Sequence, residues 1–188
     1  MADSQARSRL LAAAVDHALE AGIADLSLRE LAAAIGTSHR MLIYHFGSRE
    51  GLLIAVALAV EAAERDLAFG SGPVTTADDA RRFWKRISAP KFWPQERLFF
   101  ELYIHAVLGR PGTEGFLDDV VESWVGPVAA AAVAAGADAR TARADARLNV
   151  AVIRGLLLDL LATGDRKGVT EAFERHLQNQ RPGGAPAS

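Results

Sequence analysis

The sequence predicts an all-α fold: a three-helix unit over residues 1–50, a longer helical domain over 51–180 and a flexible tail over 181–188. Three observations lead there. Apolar residues recur at helical spacing along nearly the whole chain. Serine, threonine and glycine punctuate these stripes where helices would begin and end. No stretch alternates apolar and polar residues long enough to make a strand with one buried face.

The elements follow in order. Leu10, Leu11, Ala14, Val15, Ala18 and Leu19 form the buried stripe of a first helix, with Ser4 as its N-cap and Gly22 at its far end. Ser27-Leu-Arg-Glu30 is a capping box: the serine hydroxyl accepts from the third amide, and the glutamate reaches back to the serine amide. Behind it, Leu28, Leu31, Ala32 and Ile35 give one apolar face to a short helix that Gly36 stops. Thr37 or Ser38 caps a third helix with Leu42 and Phe46 on its inner side, and Ser48 caps a fourth running over 51–69. Ser71-Gly-Pro-Val-Thr-Thr76 is the clearest break in the chain. Further helices are expected near 77–88, 95–109, 114–135, 138–163 and 167–180, separated by Pro90, Pro94, Gly109, Pro111, Gly112, Gly136 and Gly164.

Composition excludes several classes. With 50% hydrophobic and 23% charged residues, 188 residues can bury a substantial core, so disorder is a poor reading. The absence of cysteine removes disulfide frameworks, thiolate metal sites and cysteine nucleophiles. The charge-free stretch over 124–137 is too short for a bilayer span, and the N-terminus lacks the basic-then-apolar pattern of a signal peptide. A soluble, cytoplasmic protein with no membrane partner is expected. The net charge of −2 does not announce a nucleic-acid partner either. Locally the balance differs: from Leu31 to Arg49 there is no acid, while His39, Arg40, His45 and Arg49 cluster there.

Two short helices joined at Gly36, behind a longer packed helix, meet the requirements of a helix-turn-helix. The capping box, Leu31 and Ile35 anchor the first short helix. Gly36 allows the left-handed turn. Leu42 and Phe46 bury one side of the second and leave His39, Arg40 and Tyr44 on others. Any helical bundle contains such turns, so this pattern alone is weak.

The wider string is more specific. Leu31-Ala-Ala-Ala-Ile-Gly36, Leu42-Ile-Tyr-His-Phe46 and Ser48-Arg-Glu-Gly-Leu52 together resemble the DNA-binding domain of the TetR family of bacterial transcriptional regulators, over about residues 8–60. Arg154–Asp165 is similar to the C-terminal helix through which many of these regulators dimerise. The resemblance implies that His39, Arg40 and Met41 open the recognition helix, with Tyr44 one turn on. Arg40 is then the candidate for reading guanine, Met41 for a thymine methyl, and His39 for a base edge or phosphate. Ser27, Arg29, His45 and Arg49 become candidate phosphate contacts, Arg49 in the first turn of its helix. One position departs: the family usually has tyrosine directly after the leucine, where this chain has Ile43. Tyr44 lies about 100° further round the helix, so either it makes that contact from another angle or the contact is missing. Read from the residues alone, His45 could equally be a packed histidine, Arg29 a surface residue paired with an acid, and Arg7 with Arg9 either a solvated face or a DNA-binding arm.

Seven of the thirteen aromatics fall within residues 83–103. They read either as a well-filled core or as the lining of an apolar ligand pocket. Trp84, Phe99, Phe100, Tyr103 and Trp124 are the candidate lining residues, with Glu101 and His105 as polar groups. Arg97, Glu101 and His105 repeat every four residues, which also fits a solvated ladder. Val150, Ile153, Leu156, Leu157, Leu160 and Leu161 make an apolar surface broad enough to serve an isologous dimer, with Asp159 expected to pair with Arg154 or Arg166.

No phosphate-binding glycine loop, His-Glu-x-x-His helix or nucleophile elbow is present. No catalysis, metal or cofactor is therefore expected. The expected function is a ligand-responsive DNA-binding regulator, more simply a repressor, acting as a homodimer on a double-stranded palindromic operator with an unknown small-molecule effector. The alternative is a helical small-molecule-binding protein that has lost specific DNA recognition.

Overall fold

The computed structural model describes residues 2–21, 27–69, 76–111 and 113–180. Among them the elements are helices joined by turns: α1 (Ala2–Ala21), α2 (Leu28–Ala34), α3 (His39–Phe46), α4 (Arg49–Phe69), α5 (Ala77–Ile87), a 3-10 turn over Pro90–Phe92, α6 (Trp93–Val107), α7 (Glu122–Ala134), α8 (Ala139–Thr163) and α9 (Arg166–Asn179). They cluster into two compact units, one over 1–71 and 91–120, the other over 72–90 and 121–188.

In the first unit, α1 to α4 pack around Ala14, Ala18, Leu28, Leu31, Leu42, Leu52 and Val56, all buried. The stripe predicted on α1 is present except at Leu19, which is exposed. Ser4 does not cap α1. The helix begins at Ala2, and the carbonyl of Ser4 instead accepts from the Ser8 hydroxyl at 3.0 Å. Gly22 and the 71–75 part of the predicted break lie outside the described residues, as does the tail at 181–188. Leu98, Phe99, Phe100 and Leu102 of α6, with Phe116, are also buried in this unit.

The predicted helix over 114–135 begins only at Glu122. Gly115 has φ of 75°, a left-handed conformation that interrupts any helix, so the chain from Glu114 to Val121 runs as successive turns.

The second unit rests on α7, α8, α9 and α5. Val125, Ala129 and Ala146 are buried together, with Val121, Val128 and Val150 packed against them; alanine at the contact lets α7 and α8 approach closely. Arg143 donates to both carboxylate oxygens of Glu122, at 2.9 and 2.6 Å, and ties the same two helices at the surface. Trp84 stacks on Phe173 with centroids 4.9 Å apart and donates its indole N–H to the Thr170 hydroxyl at 3.0 Å. Arg81 makes a bidentate pair with Glu174, whose carboxylate together with Asp78 holds the guanidinium well above its usual pKa range.

Candidate nucleic-acid interface

The turn between α2 and α3 is fixed at both ends by backbone chemistry. Ser27 Oγ accepts from Glu30 N at 3.3 Å while Ser27 N donates to Glu30 Oε2 at 2.8 Å, completing the predicted capping box. These hydrogen bonds hold the Glu30 carboxyl below its ordinary pKa. At the other end, Thr37 N donates to Ala32 O at 2.8 Å and Gly36 N to Ala33 O at 3.3 Å, a Schellman closure that requires the positive φ of 68° at Gly36. Ser38, rather than Thr37, caps α3: its hydroxyl accepts from Met41 N at 3.2 Å.

α3 is closed by Gly47, with φ of 78°, and Ser48 then caps α4 by accepting from Gly51 N at 2.9 Å. The backbones of α3 and α4 touch at Gly51, where a Cβ would stand 2.2 Å from the Phe46 carbonyl oxygen. Only glycine fits there without moving one helix, so the register between α3 and α4 is fixed by sterics.

This frame sorts the predicted contact residues. Leu42 is fully buried and Phe46 half-buried, as the pattern requires. His39, Arg40, Met41 and Tyr44 are all exposed, Tyr44 at 67%. Ile43, at the position where tyrosine is usual, is also exposed. Ser27 and Arg29 are exposed on α2, although the Ser27 hydroxyl already serves its cap. Arg49 sits in the first turn of α4, partly exposed, with Nη1 4.0 Å from Glu50 Oε1.

His45 is a correction. Its side chain is only 3% exposed, with Nδ1 3.6 Å from Asp3 Oδ1, and its buried Nε2 has no hydrogen-bond partner. The reason is helical geometry: His45 lies three residues after Leu42 and shares its inward face. Its ring is not presented with Arg40 and Tyr44. Arg7 is likewise no free arm. Its Nε donates to His45 O at 3.3 Å and its guanidinium lies 5.0 Å from the Phe46 ring centroid, so it straps α1 to the end of α3.

The candidate ligand residues divide between the units. Phe99 and Phe100 are buried in the first, and Phe99 packs against Tyr103 and Phe116 with centroids 5.7 and 6.0 Å away. Glu101 is exposed and His105 half-buried, so Glu101 does not face an enclosed pocket. Trp84 and Trp124 belong to the second unit, Trp84 stacked on Phe173 and Trp124 tilted against Phe83.

The predicted dimer residues divide as well. Leu157 and Leu160 are buried within the chain itself, while Val150, Ile153, Leu156 and Leu161 are half-buried. Among the residues that α8 exposes, Leu148, Ala151, Gly155, Leu158 and Ala162 are spaced three and four apart along one line, with the exposed Asp159 beside them. Sequence reasoning missed Leu148 and Leu158 because an all-round apolar helix does not say which leucines its own chain covers. Arg166 does not answer Asp159; it reaches Lys85 O at 3.2 Å and Ser88 Oγ at 3.5 Å.

An exposed, acid-free third helix held by a Schellman turn gives the described residues, which are helical throughout, the geometry of a helix-turn-helix at α2 and α3. Residues 10–56 match the family of bacterial regulatory proteins, tetR family. The chain is similar to a TetR-family transcriptional regulator from Rhodococcus sp., at 24% identity over 93% of this chain and 98% of that one, with a TM-score of 0.61. It is similar to the multidrug binding protein EbrR in complex with imidazole, at 26% identity over 90% and 88% of the two chains, with a TM-score of 0.59. Salmonella enterica GusR aligns at 21% identity over 93% and 94%, with a TM-score of 0.65. A comparison with curated protein sequences finds no match. Residues 10–56 are thus similar to the tetR-family helix-turn-helix, and the chain shares the fold of these solved structures.

Proposed function

We propose that this protein is a ligand-responsive transcriptional repressor that binds a palindromic operator as a homodimer, reading DNA with residues 1–50 and using 51–180 to dimerise and bind its effector. The observation that carries the reading is the surface of α3: His39, Arg40, Met41 and Tyr44 exposed together on a helix whose opposite side is locked by Leu42. Arg40 reads guanine through its bidentate fork, and Met41 meets a thymine methyl. His39 contacts a base edge or phosphate. Tyr44 supplies the backbone contact that Ile43 cannot make, and Arg49 places a charge on phosphate at the start of α4, where free amides add to it. Ser27 and Arg29 flank the same surface. Two copies related by a two-fold axis through α8 would set the half-site spacing.

The exposed line Leu148–Ala151–Gly155–Leu158–Ala162 supports the dimer, because its spacing is that of a helix-pairing seam and its small residues permit close approach. EbrR is a multidrug binding protein by name, which favours a small-molecule effector here. The α4 helix joins the two roles. It contacts α3 sterically at Gly51 and carries the far side of the effector region. An effector would act by favouring a conformation whose recognition helices no longer match the operator, within its differential affinity for the two states.

Selection of bound fragments from sheared genomic DNA at moderate salt should enrich one palindromic site. Arg40→Ala should then lose about 1–3 kcal/mol on that site and relax preference at one base. Uniform, salt-sensitive binding by a folded dimer would instead favour a ligand-binding protein that has lost specific recognition.

A further inference from the structure

In the second unit, Arg81 meets Glu174, Trp84 meets Thr170 and Ser88 meets Arg166, so α5 and α9 run antiparallel. Between them lies an open recess of about 620 Å³, a size within the range of small-molecule sites. Trp84, one of the candidate ligand residues, lines it.

The charges of the lining are uneven along the recess. Both of its carboxylates are answered: Glu174 by the bidentate Arg81, and Glu171 by Lys167, whose Nζ lies 3.9 Å from Oε1. Arg166 and Lys85, at the other end, form no ion pair among the described residues. Arg166 bonds neutral oxygens instead, donating from Nη2 to Lys85 O at 3.2 Å and from Nε to Ser88 Oγ at 3.5 Å. Ser88 is only 1% exposed, so this anchor is firm. It fixes the guanidinium and leaves its Nη1 donors for another partner. Asp165, the preceding residue, spends Oδ1 on the Gly168 amide as the cap of α9. One turn from Lys85 on α5 stand Arg81, Arg82, Ser88 and Ala89, none of them acidic. Positive charge is therefore in excess where Lys85 and Arg166 meet, and balanced where Arg81 meets Glu174.

Length narrows the occupant. From Arg166 to Glu174 is eight residues of helix, about 12 Å, which leaves room for one ring between the two ends. Trp84 and the hydrocarbon stems of Lys85 and Lys167 give that stretch apolar sides. We propose that this recess binds a small organic carboxylate of about one ring, its head taken by the Arg166 fork and the Lys85 ammonium and its body lying toward Trp84 and Thr170. A guanidinium already held by protein oxygens loses little freedom on pairing. The site deepens the ligand-response reading by naming the chemical class of the effector. It rests on that reading for its regulatory consequence, not for binding itself.

The test is isothermal titration calorimetry of the full chain with sodium benzoate at constant ionic strength. Benzamide keeps the ring without the charge, and sodium phosphate keeps a charge without the ring. Benzoate should bind saturably, at least tenfold tighter than either. Lys85→Gln should weaken it about tenfold, and Arg166→Lys, which keeps the charge and loses the fork, several-fold. Lys91→Gln, outside the lining, should leave it unchanged. Thermal unfolding confirms that each variant folds; should Arg166→Lys fail, the exposed Lys85 carries the comparison with Lys91. No saturable benzoate binding, binding matched by phosphate, or binding that Lys85→Gln and Lys91→Gln leave alike overturns the proposal. Operator binding is measured alongside. Benzoate binding that leaves operator affinity unchanged sustains the site and removes its regulatory role; intact operator binding without benzoate binding removes the site alone.

Discussion

The α3 and α8 helices both expose apolar side chains, and comparing them separates two kinds of surface. On α3 the exposed apolar residues are Met41, Ile43 and Tyr44, set among His39 and Arg40 on eight residues with one fully buried side chain. On α8 they are Leu148 and Leu158, 57% and 48% exposed, aligned with alanine and glycine along a helix of 25 residues. The first surface mixes donors, a cation and polarisable side chains, which suits base edges and phosphates. The second is mostly small and apolar, with Asp159 at its edge, which suits another copy of itself. Exposure alone does not distinguish them; the neighbours do.

The largest effects should fall where each helix is rooted. Leu42→Ala and Leu160→Ala each empty a site of zero exposure and should cost about 2–5 kcal/mol in urea or thermal unfolding. Their consequences should differ. Leu42→Ala should abolish operator binding while the chain still dimerises; loss of both together would erase the distinction drawn between the two helices. Next comes Leu158→Glu, which puts a charge on the α8 line without touching the chain's own core. Sedimentation should report a dimer weakened by on the order of 2–3 kcal/mol, with monomer stability nearly unchanged. An undiminished dimer would move the interface off this face.

Arg49→Ala is a smaller change. It should weaken all DNA alike and flatten the dependence of binding on salt by about one unit, read from a titration series. An unchanged slope would take Arg49 off the phosphate backbone and leave α3 alone in contact. The smallest expected effect concerns the α8–α9 seam, where His176 Nε2 lies 2.9 Å from Asn149 Oδ1 and Gln180 also meets that oxygen. Partial burial lowers the His176 pKa below 6.5. Between the lowered value and 6.5 the unfolded chain binds a proton that the folded chain does not. Stability contributed there is full above 6.5 and falls as pH drops through that window. His176→Gln should flatten the change in Tm between about pH 5 and 7; an unaltered profile would assign that dependence elsewhere.

Much of the fold was legible in the residues. The Ser27–Glu30 box, the Gly36 turn and the inward Leu42 are local rules, each needing only a few neighbouring residues, and each stands in the structure as read. The errors share a cause. Ser4 is a good cap by type, yet α1 runs past it to Ala2. His45 fits a phosphate contact by motif, yet it sits three residues from Leu42 and turns inward. Glu101 shared a possible pocket face and is exposed instead.

By itself, then, the sequence determined the helical class, the positions of α2 and α3, and the identity of the side chains on the recognition helix, because capping, glycine geometry and a 3.6-residue period are short-range physics. Tertiary packing alone decided which leucines of α8 stay outside, that Arg7 clasps α3 rather than reaching for DNA, and that Gln95 is buried with its amide unanswered. Those outcomes depend on which distant helix covers a given face, and an apolar stripe specifies that something must cover it without specifying what.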